Sequence, residues 1–170
     1  MDLKDHLALM ARYHDWAYRR LFEVIERVGE DDYRRDLGLF FTSIHGSLNH
    51  LLVADRLWYT RFTAAPVPAL RLNQELETGR AALREALLDG ARAWSAFIDE
   101  LTPATLDGML SYRNTKGIAV SVPFGPTLAH VFNHATHHRG QVSTALTQLG
   151  MPAPEMDLVY YLVERQKSAA

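Results

Sequence analysis

Hydrophobic residues recur along this chain at the steps of three and four that mark the buried side of an α-helix. The first such segment covers residues 3–28, and Gly29 is a favourable helix stop. The second segment begins at Thr42 or Ser43, both good N-capping residues, and continues to Phe62. This second segment is apolar on more than one side, which predicts burial against several neighbours.

Two further periodic segments complete a set of four long helices. The third covers residues 76–101, and the fourth starts after Pro126 and ends at Leu149. A short last helix is predicted from about 155 to 166. The fold class is therefore all-α, a four-helix bundle.

The connections refine this prediction. A proline-containing linker after the second helix could stretch ~30 Å, so the third helix need not be antiparallel to the second. Between helices three and four, residues 109–123 alternate in hydrophobicity around the turn sequence Asn-Thr-Lys-Gly, which predicts a small β-hairpin. Residues 1–170 are expected to form one domain.

Composition and charge exclude several functional classes. The formal net charge is −2, so no overall positive field attracts nucleic acid or anionic membranes. The absence of cysteine excludes disulfides, thiolate metal sites and cysteine nucleophiles. The N-terminus lacks the apolar core of a signal peptide, and no run of ~18 apolar residues exists. We expect a cytoplasmic protein with neither nucleic acid nor membrane as a partner.

Histidines form the most informative pattern, because four of the eight lie within residues 130–138. His134 and His138 are four residues apart, so they lie on one helix face and could bind one ion, as paired helical histidines do in zinc sites. Two ligands do not hold an ion tightly. His50 is the best third candidate because it lies on an apolar side of the second helix.

The alternative is that these histidines are structural. Each buried imidazole would then need its own hydrogen-bond partner, which is costly for several at once. His6 is expected to be solvated, whereas His45 and His137 lie beside the predicted faces and are ambiguous.

Two segments resemble the DinB family of the DinB/YfiT-like metalloenzyme superfamily. One is 43–58, which contains an Asn-His pair, and the other is 133–141, Asn-His-Ala-Thr-His-His-Arg-Gly-Gln. The similarity covers nearly the whole chain. It implies an up-down-down-up bundle, often a homodimer, with three histidines on one divalent cation. The family's ligand positions fall on His50, His134 and His138.

Two further side chains are candidates for chemistry. The family commonly has asparagine where this chain has His14, on the apolar face of the first helix. His14 could be a fourth ligand, a base near the ion, or a core histidine bonded to a neighbouring carbonyl. Gln141 lies on the face of His138 and could orient bound water or substrate.

Three histidines leave one coordination position for water or substrate, as in catalytic sites. Zinc or nickel is the first expectation for the ion, and iron, cobalt or manganese are further candidates. The resemblance implies transferases that activate a low-molecular-weight thiol as the first function, so the expected partner is a small molecule such as a thiol. The alternatives are a metal-dependent hydrolase and a metal-binding stress protein without turnover.

Overall fold

A computed structural model describes residues 1–168, which form seven helices and one hairpin. The elements are α1 (Leu3–Ile25), α2 (Glu30–Arg34), α3 (Ile44–Phe62), α4 (Arg80–Asp99), α5 (Pro103–Leu106), β1 (Met109–Arg113), β2 (Ala119–Pro123), α6 (Phe124–Gln148) and α7 (Leu158–Ser168). The four long helices are α1, α3, α4 and α6. The predicted all-α bundle is confirmed.

Contacts between helix ends give the direction of each long helix. Lys4, at the start of α1, donates to the carbonyl of Leu101 just after α4, so α1 and α4 are antiparallel. Phe62, at the end of α3, packs against Phe97 near the end of α4, so these two helices are parallel. Phe62 also packs against Phe124 at the start of α6. The topology is therefore up-down-down-up.

Helix α3 is buried on several sides within a single chain. Leu48 and Leu52 share one core cluster with Leu83 and Leu87 of α4 and with Val142 of α6. The apolar second side of α3 was one basis for expecting a homodimer. Because that side is covered by the chain itself, the homodimer stays a prediction that rests on other surfaces.

The hairpin has the predicted place and turn. Strands β1 and β2 pair antiparallel from Met109↔Pro123 to Arg113↔Ala119. Gly117 lies in the turn with φ +78°, a conformation that favours glycine. Leu110 is buried with residues that begin α6, so the hairpin closes the end of the bundle opposite the start of α3.

Two of the long helices begin at residues other than the predicted ones. Helix α4 begins at Arg80 instead of residue 76 because the amides of Leu76 and Glu77 donate to the side chain of Asn49 on α3. Helix α6 begins at Phe124, with Pro126 inside its first turn, where no intrahelical amide donor is needed. No helix formed by residues 1–168 is long and apolar enough to cross a membrane.

Candidate metal centre

Three histidines from two helices meet in the interior of the bundle. His50 comes from α3, and His134 and His138 come from successive turns of α6. The Nε2 atom of His134 lies 3.4 Å from Nε2 of His50 and 3.2 Å from Nε2 of His138. The structure thus brings together the three residues that the sequence grouped.

These separations suit a tetrahedral cation. Nitrogen ligands lie 2.0–2.1 Å from zinc, and in tetrahedral geometry this places them about 3.3 Å from one another. The three side chains each offer one ligand atom within 4.8 Å of the others, and within residues 1–168 no carboxylate belongs to the group.

Hydrogen bonds fix the tautomers of two of the rings. The Nδ1 atom of His50 lies 2.8 Å from the carbonyl oxygen of Leu72, which can only accept. The Nδ1 atom of His138 lies 2.7 Å from Oε1 of Gln141, which also accepts. Both Nδ1 atoms therefore donate, and in the neutral rings the Nε2 atoms carry lone pairs.

The converging lone pairs are the observation that fits a metal ion. A proton on Nε2 of His134 could satisfy only one of its two neighbours at a time. One cation satisfies all three nitrogens together, and it leaves Nδ1 of each ring to carry the proton. The residues present therefore fit a divalent ion held by His50, His134 and His138.

The surroundings keep these imidazoles neutral, as metal ligation requires. Burial lowers the pKa of His50 to about 4. Burial, together with the neighbouring imidazoles, lowers the pKa of His134 to about 3. Burial also lowers the pKa of His138. Protons would therefore compete with a metal ion for these nitrogens only at a pH well below about 6.5, the pKa of an unperturbed histidine.

Asn49, the first residue of the Asn-His pair, binds the linker between α3 and α4. Its side chain accepts from the amides of Leu76 and Glu77 and donates to the carbonyl of Glu77. These bonds tie the linker between α3 and α4 to α3. The same linker supplies the Leu72 carbonyl that orients His50, so Asn49 positions the ring beside it.

Phe41 covers the triad from the loop before α3. Its ring stacks on that of His50, with centroids 3.7 Å apart and planes 14° apart, and lies 5.7 Å from the ring of His138. The backbone of this loop has two local features. Thr42 has φ +65°, which is strained for a β-branched residue. A side chain at Gly46 would overlap the carbonyl of Phe41.

His14 lies in the core and does not join the group of three. Its Nδ1 atom accepts from Nη1 of Arg139 at 2.8 Å, and its side chain is 2% exposed. Burial, assisted by the adjacent guanidinium, lowers its pKa well below the usual value. His14 is therefore a neutral core histidine as the structural alternative expected, but its partner is Arg139 instead of a carbonyl.

The side chain of Gln141 contacts His138 of the triad. Its oxygen accepts from His138, so it orients this imidazole one turn away on α6. Such contacts to the second ring nitrogen fix the orientation and raise the basicity of a ligand.

Three further histidines lie outside the triad and differ in burial. His45 is buried, and its ring nitrogens contact the hydroxyl of Tyr33 and the carboxylate of Glu75. His130 and His137 are exposed beside the triad, with ring centroids 5.7 Å from His134 and 4.9 Å from His138.

Arg139 is a buried neighbour of the triad that periodicity did not predict. It is 1% exposed, although a charged residue on a helix is ordinarily solvated. Its guanidinium donates to Thr136 and lies over the rings of Tyr13 and Tyr18 as well as beside His14. Its place in the His-Arg-Gly-Gln sequence was the one local indication of a special role.

Comparison with known proteins agrees with this architecture. The sequence profile of the DinB family matches residues 3–168, nearly the whole chain. The chain is also similar to Protein DinB of Bacillus subtilis (strain 168), with 24% identity over 166 residues that cover 94% of this chain and 95% of that protein. With this bundle topology, and with the family profile matched over nearly its whole length, the chain belongs to the DinB family.

Proposed function

We propose that this protein is a metal-dependent transferase that conjugates a low-molecular-weight thiol to an electrophile. The observation that carries the proposal is the convergence of three neutral imidazole nitrogens on one point. Three neutral ligands leave the charge of a divalent ion undiminished and leave one position open. When bound, such an ion lowers the pKa of a coordinating thiol or water.

A thiol matches this site because the thiolate is the reactive nucleophile and a free thiol ionises only near pH 8.5. The chain has no cysteine, so the thiol must come from a small molecule. In the transfer, a sulfur–carbon bond forms, the bond to the leaving group breaks, and the thiol proton passes to solvent.

The two candidates for chemistry from the sequence, His14 as a base and Gln141 as a group that orients water or substrate, already have hydrogen-bond partners. His14 accepts a hydrogen bond from Arg139, and Gln141 accepts one from His138. Gln141 thus orients His138, and His14 pairs with Arg139 in the core. A reaction that needs only ionisation of the nucleophile suits such a site better than one that needs a dedicated internal base.

A cavity of about 310 Å³ beside the loop that carries Phe41 could receive the electrophile, although no histidine of the triad lines it. It shares the Phe41 side chain, whose ring stacks on His50, so an electrophile in the cavity reaches the triad once this ring moves aside. Its walls combine aromatic, hydroxyl, amide and carboxylate side chains, which are Phe40, Phe41, Thr42, Ser43, His45, Asn49, Asn73 and Glu75. This mixture suits a small polar molecule with an apolar part.

Hydrolysis is the second candidate because His130 and His137 are exposed beside the triad. An imidazole in this position could donate a proton to the leaving group of an ester or amide. This alternative predicts turnover without any thiol.

The experiment is a conjugation assay with the full chain loaded with zinc or nickel, a panel of small thiols and a chloronitroaromatic electrophile. We expect thioether formation that is lost on chelation and in His138→Ala, and that is retained in the control His6→Ala. Ester or amide hydrolysis without conjugation would replace the transferase with the hydrolase. Neither activity in the loaded protein would leave a metal-binding protein without turnover.

A further inference from the structure

The ligand His134 differs from its two partners in the bonds of its second ring nitrogen. His50 donates from Nδ1 to Leu72 and His138 donates from Nδ1 to Gln141. In residues 1–168, Nδ1 of His134 has no such acceptor within hydrogen-bond distance. If all three Nε2 atoms face one ion, the Nδ1 of His134 must carry a proton, and a proton in this half-buried position needs an acceptor.

A small internal cavity lies beside this ring. It leaves about 10 Å³ for the centre of a water molecule, which is the minimum that one ordered water requires. Its polar lining comes from His134, His14, Tyr18 and Asp55, and the rest of its wall is apolar or aromatic.

The polar groups around the cavity are complementary for one water. His14 accepts from Arg139 at Nδ1, so its proton is on Nε2 and this nitrogen is a donor. His134 supplies a second donor. Burial raises the pKa of Asp55 to about 6, which still leaves the carboxylate ionised and accepting at neutral pH. A buried water with about three partners is the usual arrangement.

The Asp55 carboxylate is held by α4. It accepts from the indole nitrogen of Trp94, and its second oxygen lies against Gly90, where a side chain would overlap it. Asp55 also borders a larger cleft between α3 and α4. The glycine is thus needed at Gly90 for the carboxylate to occupy this place.

We infer that Asp55 is a positioning residue for the metal centre, and that it acts through one water molecule bound in this cavity between its carboxylate and Nδ1 of His134. The inference rests on the proposed metal binding. In this arrangement the water accepts from His134 and from His14 and donates to Asp55. Asp55 thereby fixes the orientation of His134 and raises its basicity, as a direct carboxylate partner would.

The test measures zinc affinity of the full-length folded protein. Loss of an outer partner of a metal-bound histidine typically weakens affinity 10–100-fold. We expect about 10-fold weaker binding for Asp55→Asn, and a similar loss for Gly90→Ala, which keeps the charge but displaces it. Gly79→Ala is the matched control, because a side chain there meets nothing within 4 Å.

Two measurements separate this role from simple support of the fold. In the zinc-loaded wild type we expect a slowly exchanging Nδ1 proton of His134 in imidazole NMR spectra, and its exchange should accelerate in Asp55→Asn. Leu88→Ala removes buried packing from the same helix as Gly90 and should lower the unfolding free energy with little effect on zinc affinity.

Tight zinc binding that neither Asp55→Asn nor Gly90→Ala weakens would overturn the inference and leave the metal site intact. Failure of the wild type to bind either zinc or nickel would overturn the inference together with the proposed function. A high-resolution structure of the zinc-loaded protein without water in this cavity would also contradict the inference.

Discussion

The guanidinium of Arg139 donates from Nη1 to Nδ1 of His14 at 2.8 Å, and both side chains are buried. Because of this bond, the Nδ1 lone pair of His14 is not free to bind a metal ion or to accept a proton. It also joins α6, which carries two of the triad residues, to the facing side of α1.

His14→Asn tests the role of this pair. The amide oxygen can still accept from Arg139, but the smaller side chain leaves part of the space empty. We expect full metal stoichiometry and a decrease of about 1–2 kcal/mol in the unfolding free energy, measured by denaturant titration. His6→Asn, on the same helix and partly exposed, is the control. Loss of the metal in His14→Asn would make His14 a fourth ligand.

Gln141→Leu should weaken metal binding without changing its stoichiometry. The substitution removes the acceptor for Nδ1 of His138, so the ring loses its fixed orientation, and an affinity loss of about 10-fold is expected. Competition titration with a chelator of known affinity measures this effect. Gln148→Leu, near the exposed end of α6, should bind as the wild type does. Equal affinities for both variants would refute the role of Gln141.

The triad also predicts a pH dependence for the stability of the metal-free protein. An unfolded histidine has a pKa of about 6.5, whereas burial lowers the pKa to about 4 for His50 and about 3 for His134. The unfolded state therefore binds more protons, so this stability is complete above pH 6.5 and is lost as the pH falls towards 4. At pH 5 each of the two histidines should lower the unfolding free energy by at most about 2 kcal/mol, because solvent near these rings screens part of the shift.

Chemical denaturation of metal-free protein between pH 5 and pH 7 measures this loss. Replacement of both His50 and His134 by glutamine should make the pH profile less steep, and His14 and His138 should account for the slope that remains. A profile as steep in the double variant as in the wild type would assign the effect to other groups.

We also predict a homodimer, through surfaces other than α3. Helix α7 packs on α1 through Tyr161 and exposes apolar side chains on its other sides, which are Val159, Tyr160, Leu162 and Val163. Light scattering at tens of micromolar should give twice 19.3 kDa. Leu162→Glu should dissociate the dimer and Gln166→Glu should not. A wild-type mass of 19.3 kDa would contradict the prediction.

Helical periodicity in the sequence was enough to predict that His50, His134 and His138 lie together. The spacing of His134 and His138 places both on one face, and the apolar side of α3 identifies His50. Parts of the site that depend on irregular backbone could not be foreseen. The Leu72 carbonyl and the Phe41 ring belong to loops, and no residue type in the sequence predicts either contact.

The positions of two charged residues were equally hard to foresee from the sequence. Composition places arginine and aspartate at the surface, but Arg139 is buried and Asp55 is partly buried between α3 and α4. Each is tolerated because the folded chain supplies partners from another helix, which are His14 for the guanidinium and Trp94 for the carboxylate. These pairings depend on tertiary packing and leave no local pattern.

Elemental analysis of protein purified without an affinity tag tests the metal centre itself. We predict close to one divalent ion per chain in the wild type, because His50, His134 and His138 converge on one point. A folded variant with alanine at all three positions should contain none. Equal metal content in the wild type and the triple variant would contradict a metal centre at these histidines.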